Sequence, residues 1–485
     1  MISTAGSYET FAHRKDPCVG ATWAALWFTG AVLRSLVTRR SATTLPIVPL
    51  DSTTLPKWRR SQPKPIRAWL DANGFEATGN RPLLIPGPKG AALALLGRTE
   101  ESPWTWASAA QRLPAGRYII DAELEPKQAT EAAIGWALAS YAYDEHRSSP
   151  REIDRKLVWP KGADRAEAKR QIEAIGWVRD LINTPAGQLG PSELVEAARS
   201  IRGARVRAIK GRRLAEGFPA VAAVGGGSAR APQLIDLRWG DTQHPRLTLV
   251  GKGVCFDSGG LNVKSASGML RMKKDMGGAA LLLGLARMIV DRGLPVRLRL
   301  LIPAVENLAG PQAYRPGDVI RTRAGKSVEI TNTDAEGRVI LADALAAASD
   351  ESPDLLIDAA TLTGSARSAV GAELVPFWTR SATLAEALVK AGRSAREPVW
   401  QLPLHSPYRR HLDSRIADLK NAASTHQAGA SIAALFLREF VEAPERWIHL
   451  DVFGWNAASR PGRPAGGEAT GLRALWALLG DRYGD

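Results

Sequence analysis

Apolar and polar segments alternate regularly along the chain from about Gly190 to its end. Short apolar runs have the length of buried strands, and one longer run has the length and spacing of a helix. The elements predicted in this way are strands at 246–254, 296–305 and 354–362, a hairpin at 323–327, and helices at 277–293 and after Arg338. Such alternation predicts a mixed, mostly parallel central sheet flanked by helices, with binding sites outside the carboxyl ends of the strands.

The first third of the chain has a different pattern. Short apolar runs separated by turn residues predict a small α/β domain, and this region contains no evident catalytic motif. Ser52–Pro65 is basic and rich in Pro, Ser and Thr, which is typical of a connector, whereas helical spacing from Asp164 to Ile182 predicts a domain-linking helix. The predicted organisation is an extension at 1–44, an N-terminal α/β domain at 45–155, a linking helix at 163–185 and a larger α/β domain at 186–485.

The extension contains an uncharged run, Val19 to Leu33, that imitates the core of a signal peptide. No small-residue cleavage site follows it cleanly, and it is shorter than the roughly 20 apolar residues of a membrane-spanning helix. Two interpretations remain open: a helix packed on the body of the protein, and a poorly ordered extension from a wrongly chosen start codon. We favour the extension and expect no membrane association.

Composition and charge narrow the function only slightly. The chain has 485 residues, 45% of them hydrophobic, so it can bury the cores of two domains. Cys18 and Cys255 stand far apart, which argues against disulfides and favours the cytoplasm. The formal net charge is +15, and residues 1–70 alone hold ten basic and three acidic side chains. Because ordinary surfaces can also be basic, DNA binding or regulation is kept only as the alternative function.

Charged residues gather in three loops next to apolar elements of the larger domain. They are Lys252, Asp257 and Lys264 in the first loop, Asp275 in the second, and Asp334, Glu336 and Arg338 in the third. Taken singly, Asp275 and Asp334 fit helix N-caps, Glu336 fits the first turn of a helix, and Lys252 fits a salt bridge to Asp257. Taken together, carboxylates brought close in a partly buried site repel one another unless protons or metal ions neutralise them. The pattern therefore predicts a metal site.

The types of ligand restrict the metal and the reaction. The seven histidines are scattered and no cysteine cluster exists, so the structural zinc patterns are absent. Carboxylates suit magnesium or manganese and are also accepted by zinc, whereas Lys252 can ligate only if nearby cations depress its pKa. Two ions about 3.5 to 4 Å apart would activate a bridging water. This predicts metal-assisted hydrolysis but does not separate an amide from a phosphate ester.

Five segments resemble the leucyl aminopeptidase family of cytosolic dizinc exopeptidases. They are VGKGVCFDSGG, MKKDMGGAA, NTDAEGR followed by LADAL, DAATLTG and HLDVFGW. The resemblance extends from about Trp177 to the end of the chain and implies that 186–485 is a catalytic aminopeptidase domain. It further implies that the enzyme removes N-terminal residues, preferably leucine or another apolar residue, from peptides, with two divalent ions (Zn²⁺ or Mn²⁺) per subunit.

The resemblance also implies a role for individual residues. The tighter metal site would consist of Lys252, Asp257, Asp275 and Glu336, and the exchangeable site of Asp257, Asp334 and Glu336. Lys264 would polarise the scissile carbonyl, and Arg338 would hold a bicarbonate ion that accepts a proton from the attacking water. The substrate-binding positions would be Met272, Asn332, Thr361, Leu362 and Gly364.

Two segments depart from the family pattern: the N-terminal part lacks the family signature, and residues 452–471 are unusually rich in aromatic, Pro and Gly residues. Family members are commonly hexamers, so the resemblance implies a homohexamer.

Overall fold

The computed structural model describes residues 31–88, 90–99 and 102–484. Within them the chain forms two α/β parts, each built on its own main sheet, which confirms the predicted fold class. Most of the signal-peptide-like run lies outside the described residues, and its last residues open a short 3-10 helix, Ala31–Ser35. None of the described helices is long and apolar enough to cross a membrane.

The N-terminal part is a six-stranded sheet with four helices. Its strands are β1 (Leu36–Val37), β2 (Leu45–Leu50), β3 (Pro82–Gly87), β4 (Gly90–Gly97), β5 (Gly116–Ile120) and β6 (Arg155–Val158). Its helices are α1 (Leu55–Arg60), α2 (Lys64–Ala72), α3 (Pro103–Arg112) and α4 (Pro126–Ala139). The spatial order is β1-β6-β5-β2-β4-β3, and only β3 is antiparallel to its neighbour.

The prediction that Ser52–Pro65 is a connector is wrong. This segment holds the whole of α1 and the start of α2, and each of these helices carries a proline in its first turn. The fixed φ of proline suits the first turn of a helix, where its missing N–H costs no hydrogen bond. The prolines therefore mark helix starts rather than an extended linker.

The predicted linking helix is α5 (Arg165–Asn183), and it joins the two parts. Asp164 caps it by accepting a hydrogen bond of 2.9 Å from the backbone N–H of Glu167. The helix packs against α4 of the N-terminal part and against the larger domain. Its buried Arg179 forms an ion pair with Glu468 near the C-terminus, with Nε and Oε1 3.0 Å apart.

The larger domain is built on a nine-stranded mixed sheet. The strands of that sheet are β7 (Arg205–Ile209), β8 (Gln233–Trp239), β9 (Arg246–Gly251), β10 (Gly253–Asp257), β11 (Arg297–Asn307), β14 (Leu355–Ala360), β15 (Val375–Trp378), β16 (Val399–Gln401) and β18 (Trp447–Asp451). The smaller sheets contain β12 (Val319–Arg321), β13 (Ser327–Glu329), β17 (Leu419–Lys420), β19 (Trp455–Asn456) and β20 (Gly466–Gly467). The helices are α6 (Pro191–Arg199), α7 (Arg212–Gly217), α8 (Pro219–Gly225), α9 (Ala266–Met269), α10 (Gly277–Arg292), α11 (Glu336–Ser349), α12 (Gly364–Val370), α13 (Ala382–Ser394), α14 (Gly429–Arg438) and α15 (Leu472–Tyr483).

The order of the strands brings several carboxyl ends to one edge of the sheet. The path runs β16-β15-β18-β14-β9-β11-β8-β7, with β10 paired to the far end of β11. Strands β18, β14, β9, β11 and β10 are parallel to their neighbours within this group. The apolar α10 packs in the core on one sheet face together with α5, and α11 packs in the core on the other face with α8. Side chains that follow these strands therefore meet between the starts of α10 and α11.

Two predicted boundaries differ from the structure, and both differences matter at this edge. The single strand predicted at 246–254 is interrupted at Lys252, whose backbone carbonyl accepts a 2.9 Å hydrogen bond from the N–H of Ala279. Gly251 and Gly253 on either side pass so close to other backbone that a Cβ on either would lie 2.7 Å from a backbone atom of Ala279 or Pro303. The helix predicted after Arg338 begins earlier, at Glu336.

Candidate metal centre

Four carboxylates come to the carboxyl edge of the large sheet from three loops. Asp257 is the last residue of β10, and Asp275 lies in a short 3-10 helix, Met272–Met276, just before α10. Asp334 lies in another 3-10 helix, and Glu336 is the first residue of α11. The carboxyl-end rule for such sheets therefore holds for each of these side chains.

The carboxylates of Asp257, Asp334 and Glu336 form one compact group. One oxygen from each lies within 4.8 Å of the others. Asp257 and Glu336 are only 2% and 1% exposed, while Asp334 is half-buried. Three acids this close, two of them buried, require a positive partner.

Two lysines provide positive charge at the group. Nζ of Lys252 lies 2.7 Å from Oδ2 of Asp275 and 2.9 Å from Oε1 of Glu336, and it donates a 3.0 Å hydrogen bond to the carbonyl of Thr361. The alternative explanation of Lys252, a plain salt bridge to Asp257, is therefore wrong about the partner. Asp257 instead pairs with Lys264, whose Nζ lies 2.8 Å from Oδ2 of Asp257 and also contacts Asp334.

The electrostatics of the group follow from burial and crowding. Burial, and then repulsion by Asp257, raise the pKa of Glu336 to about 8. Burial, and then repulsion by Asp275, raise the pKa of Asp257 to about 6. Burial alone would lower the pKa of Lys252, but the charges of Asp275 and Glu336 outweigh it and hold this pKa above its usual value. The site thus favours bound cations or protons over free carboxylates.

The helix-cap explanation of the two aspartates is wrong. The N-cap positions of α10 and α11 are Met276 and Ala335. Oδ1 of Asp275 accepts a 2.8 Å hydrogen bond from the Thr361 hydroxyl rather than from a helix N–H. Neither aspartate is therefore used as a helix cap, and both side chains belong to the cluster of charged groups at the metal centre.

The donor set fits divalent metal ions. Oε2 of Glu336 is buried and has no hydrogen-bond partner among the described residues, although it belongs to a carboxylate at the centre of the group. Such an oxygen is costly to bury unless a cation coordinates it. Carboxylate oxygens suit manganese and magnesium and are also found on zinc.

Two of the predicted substrate-binding residues, Thr361 and Asn332, contact aspartates of the metal centre. Thr361 contacts Asp275, and Oδ1 of Asn332 accepts a 2.8 Å hydrogen bond from the backbone N–H of Asp334. The half-buried Met272 begins the 3-10 helix that carries Asp275, and the exposed Gly364 begins α12 just after Leu362.

Arg338 lies in the first turn of α11, half-buried, and its Nε is a buried donor with no hydrogen-bond partner among the described residues. Burial lowers its pKa to about 10, which still leaves the guanidinium charged at neutral pH.

Sequence reasoning missed two residues that hold the site in place. Asn307, the last residue of β11, is fully buried, and its Nδ2 donates a 2.9 Å hydrogen bond to Oδ1 of Asp257. Asp451, the last residue of β18, accepts hydrogen bonds from the backbone N–H groups of Leu362 and Thr363 and from the Thr363 hydroxyl. Both stand at the carboxyl ends of strands, as Asp257 does.

Comparison with known protein families identifies both parts of the chain. Residues 176–476 match the catalytic domain of the cytosol aminopeptidase family, and residues 45–160 match the N-terminal domain of the M17 aminopeptidases. The first match covers more than half of the chain and confirms the resemblance found in the sequence. The second match shows that the interpretation of the N-terminal part as lacking the family signature is wrong.

Individual relatives support the same family assignment. Peptidase B of Photorhabdus laumondii is 42% identical over 362 residues, which are 71% of this chain and 84% of that protein. The crystal structure of the cytosol aminopeptidase from Coxiella burnetii superposes with a TM-score of 0.89 at 46% identity, covering 93% of this chain and all of that one. The bottromycin maturation enzyme BotP in complex with Mn superposes with a TM-score of 0.79 at 32% identity, covering 90% of this chain and 99% of that one.

Proposed function

This chain belongs to the cytosol aminopeptidase family and is a metallo-aminopeptidase, and from that premise we propose that it uses two divalent ions to remove leucine or another apolar residue from the amino terminus of peptides. The observation that carries the proposal is the compact group of Asp257, Asp334 and Glu336, with ligand oxygens within 4.8 Å. The solved relative in complex with Mn makes manganese a suitable candidate, and zinc accepts the same ligands.

The residues divide between two ion positions. The tighter one takes Lys252, Asp257, Asp275 and Glu336, and the exchangeable one takes Asp257, Asp334 and Glu336. Support comes from the 2.7 Å and 2.9 Å contacts that already place the Lys252 amine against Asp275 and Glu336. When bound, the ions supply Lewis acidity and lower the pKa of a water molecule. Asn307 keeps Asp257 oriented through its 2.9 Å hydrogen bond.

Lys264 and Arg338 are positively charged side chains that act on negative groups during the reaction. The Lys264 ammonium stabilises the negative charge that develops on the scissile carbonyl oxygen, and its contacts with Asp257 and Asp334 put it beside the metal ligands. Within the described part of the chain, the buried Nε of Arg338 has no hydrogen-bond partner, which supports its assignment as the holder of a bicarbonate ion that supplies general-base chemistry. Replacing Arg338 by alanine should reduce turnover only in part and abolish any stimulation by added bicarbonate, and a variant still stimulated by bicarbonate would contradict this role.

The residues at the mouth of the site define the specificity. Met272, Asn332, Thr361, Leu362 and Gly364 line the pocket for the first side chain of the substrate or contact the substrate. The backbone N–H of Leu362 donates a hydrogen bond to Asp451. A mainly apolar lining discriminates between substrates by only about 1 to 3 kcal/mol per methylene, so a preference for leucine comes with broad tolerance. The free α-amine of the substrate would complete the selection of N-terminal residues.

Assembly and location follow from the family resemblance alone. We infer a homohexamer that acts on peptides in the cytoplasm. The cytoplasmic location is supported by relatives whose printed names include cytosol aminopeptidase.

Anilides of single amino acids test the proposed specificity. Leucine anilide should be cleaved by the metal-loaded enzyme about ten to a hundred times faster, in kcat/KM, than valine anilide, whose side chain is one methylene shorter, and also faster than glutamate anilide. N-acetyl-leucine anilide should not be cleaved, because it lacks the free amine. Equal rates for leucine and glutamate, or cleavage of the acetylated substrate, would contradict the proposal.

A further inference from the structure

A second concentration of charge lies at the opposite end of the central sheet. Asn307, which bonds to Asp257, is the last residue of β11, and Arg297 is the first. The length of this strand separates them by about 33 Å, at about 3.3 Å per residue. A pocket of about 550 Å³ is lined by Arg297 and its neighbours. This pocket is therefore distinct from the metal centre.

Six arginines from four strands line this pocket, which we call the arginine pocket. They are Arg205 and Arg207 on β7, Arg238 on β8, Arg246 on β9, and Arg297 and Arg299 on β11. The acidic residues of the lining are Asp236 and Glu351. Six positive charges against two negative ones leave four positive charges uncompensated.

The strand register places these arginines on one face of the sheet. Arg205 stands opposite Arg238, and Arg238 stands opposite Arg299 on the next strand. Arg297 stands opposite Arg246. Side chains at opposed positions point to the same side, and like charges at such positions destabilise a sheet. The arrangement thus lowers the stability of the fold unless anions compensate it.

An ordinary solvent-exposed surface would explain why this part of the sheet is polar, but not why most of its charges are positive. The same sheet face packs against α11, where Leu301 and Val250 lie in the apolar core. Beyond Ser349, where α11 ends, polar residues are expected to replace apolar ones. An exposed face normally mixes both signs of charge, whereas arginines dominate here.

The two acids of the pocket are shared by the same two arginines. Arg238 contacts Asp236 at 3.2 Å and Glu351 at 2.6 Å. Arg299 contacts each of these acids at 3.0 Å. Neither carboxylate therefore has an ion pair with the remaining arginines of the pocket in the part of the chain that the structure describes.

Three arginines keep unused donors. Across residues 31–88, 90–99 and 102–484, the guanidinium groups of Arg205, Arg207 and Arg297 form no ion pair and no hydrogen bond. Arg205 and Arg207 are exposed and Arg297 is half-buried, so all three can reach a ligand. Each guanidinium presents a planar fork of donors that matches phosphate oxygens.

We propose that the arginine pocket binds a compact oligophosphate, either free or as the phosphate chain of a nucleotide. Its excess of four positive charges calls for a small ligand of high negative charge. Its volume of about 550 Å³ lies within the range of about 300 to 1,000 Å³ found for small-molecule sites. A nucleic-acid backbone would instead need an extended positively charged groove along the surface.

Titration calorimetry of inorganic tripolyphosphate into the full, metal-loaded protein tests this proposal. The pocket variant carries Arg205→Gln, Arg207→Gln and Arg297→Gln. The matched control carries Arg112→Gln, Arg380→Gln and Arg415→Gln. These substitutions remove the same number of positive charges, and the three arginines are exposed and lie outside the arginine pocket. All three proteins should cleave leucine anilide equally, which shows that each is folded.

Wild type and control should bind one tripolyphosphate per chain at this site, and the pocket variant should bind it at least about tenfold more weakly, as loss of charge-assisted hydrogen bonds predicts. If a nucleoside triphosphate binds as tightly as tripolyphosphate, the phosphate chain is the recognised group. If the nucleoside triphosphate binds more tightly than tripolyphosphate, the ligand is a nucleotide. Equal affinity in the two triple variants, or no binding at about 0.15 M salt, would overturn the proposal. Tighter binding of an oligonucleotide, lost in the pocket variant, would overturn it in favour of nucleic acid.

Discussion

Nδ2 of Asn307 donates a hydrogen bond of 2.9 Å to Oδ1 of Asp257, and it also donates one of 3.0 Å to the carbonyl of Thr333. Asn307 thereby connects the strand end that carries Asp257 with the loop that carries Asp334. Because this amide orients a proposed bridging ligand without touching the ions, its removal should weaken metal binding and leave the fold intact.

Replacing Asn307 by alanine should lower metal affinity by about 10- to 100-fold, as loss of partners behind metal ligands usually does. Manganese titration of chelator-treated protein measures this affinity. Asn73→Ala, at an exposed position of the N-terminal part, is the control and should bind as wild type does. Unchanged affinity in the Asn307 variant would mean that Asp257 needs no such support.

Metal binding should release protons in a pH-dependent way. In the metal-free chain the pKa of Glu336 is raised to about 8 and that of Asp257 to about 6, so near pH 7 Glu336 still holds its proton. Ions displace this proton, and metal affinity should rise as the pH increases from about 6 to 8. Calorimetry in buffers of different ionisation enthalpy should show that proton release falls by most of one proton between about pH 6.5 and 9.5. Release that does not change over this range would contradict the raised pKa of Glu336.

Lys264→Ala should reduce turnover much more than metal content. Its ammonium lies beside Asp257 and Asp334, and the loss of one group that stabilises an oxyanion lowers kcat by about 10²- to 10³-fold. Lys169→Ala, an exposed position on α5, controls for the loss of one lysine. Steady-state kinetics and metal analysis on the same samples separate the two effects. A variant with normal kcat would remove Lys264 from the reaction.

The ion pair between Arg179 and Glu468 should matter for stability rather than for chemistry. Arg179 is fully buried on α5, and its Nε and Nη2 contact the two carboxylate oxygens of Glu468 at 3.0 Å and 3.2 Å. Glu468→Ala leaves a buried charge without its partner and should cost about 3 to 5 kcal/mol of unfolding free energy.

Denaturant unfolding measures this loss. The exposed pair of Arg212 and Glu216 offers the control, because Glu216→Ala breaks an ion pair in open solvent and should leave the unfolding midpoint unchanged. Equal midpoints for the two variants would show that the buried pair adds nothing.

The charged residues of the metal centre were predictable because they occur in short motifs at the ends of strongly apolar elements. Asp257 follows an apolar run of strand length, and Glu336 precedes an apolar run of helix length. Asn307 was not found, because an uncharged residue at a strand end carries no charge signal and its role depends on which strand lies beside Asp257.

Contacts between segments that are far apart in the sequence could not be predicted either. The alternative interpretation of Lys252 paired it with Asp257, five positions along the chain, but its Nζ contacts Asp275 and Glu336 instead. The N-terminal helices α1 and α2 were missed because their prolines and basic residues resemble a linker, and a short surface helix has only a weak apolar pattern.

Metal stoichiometry combined with peptide hydrolysis tests the central claim most directly. Chelated protein should be inactive towards a peptide with N-terminal leucine, and readdition of manganese or zinc should restore activity as two ions bind per chain. Asp257→Ala should stay folded by circular dichroism and neither bind both ions nor cleave the peptide. Wild-type metal content and wild-type rates in Asp257→Ala would contradict the claim that this carboxylate bridges two catalytic ions.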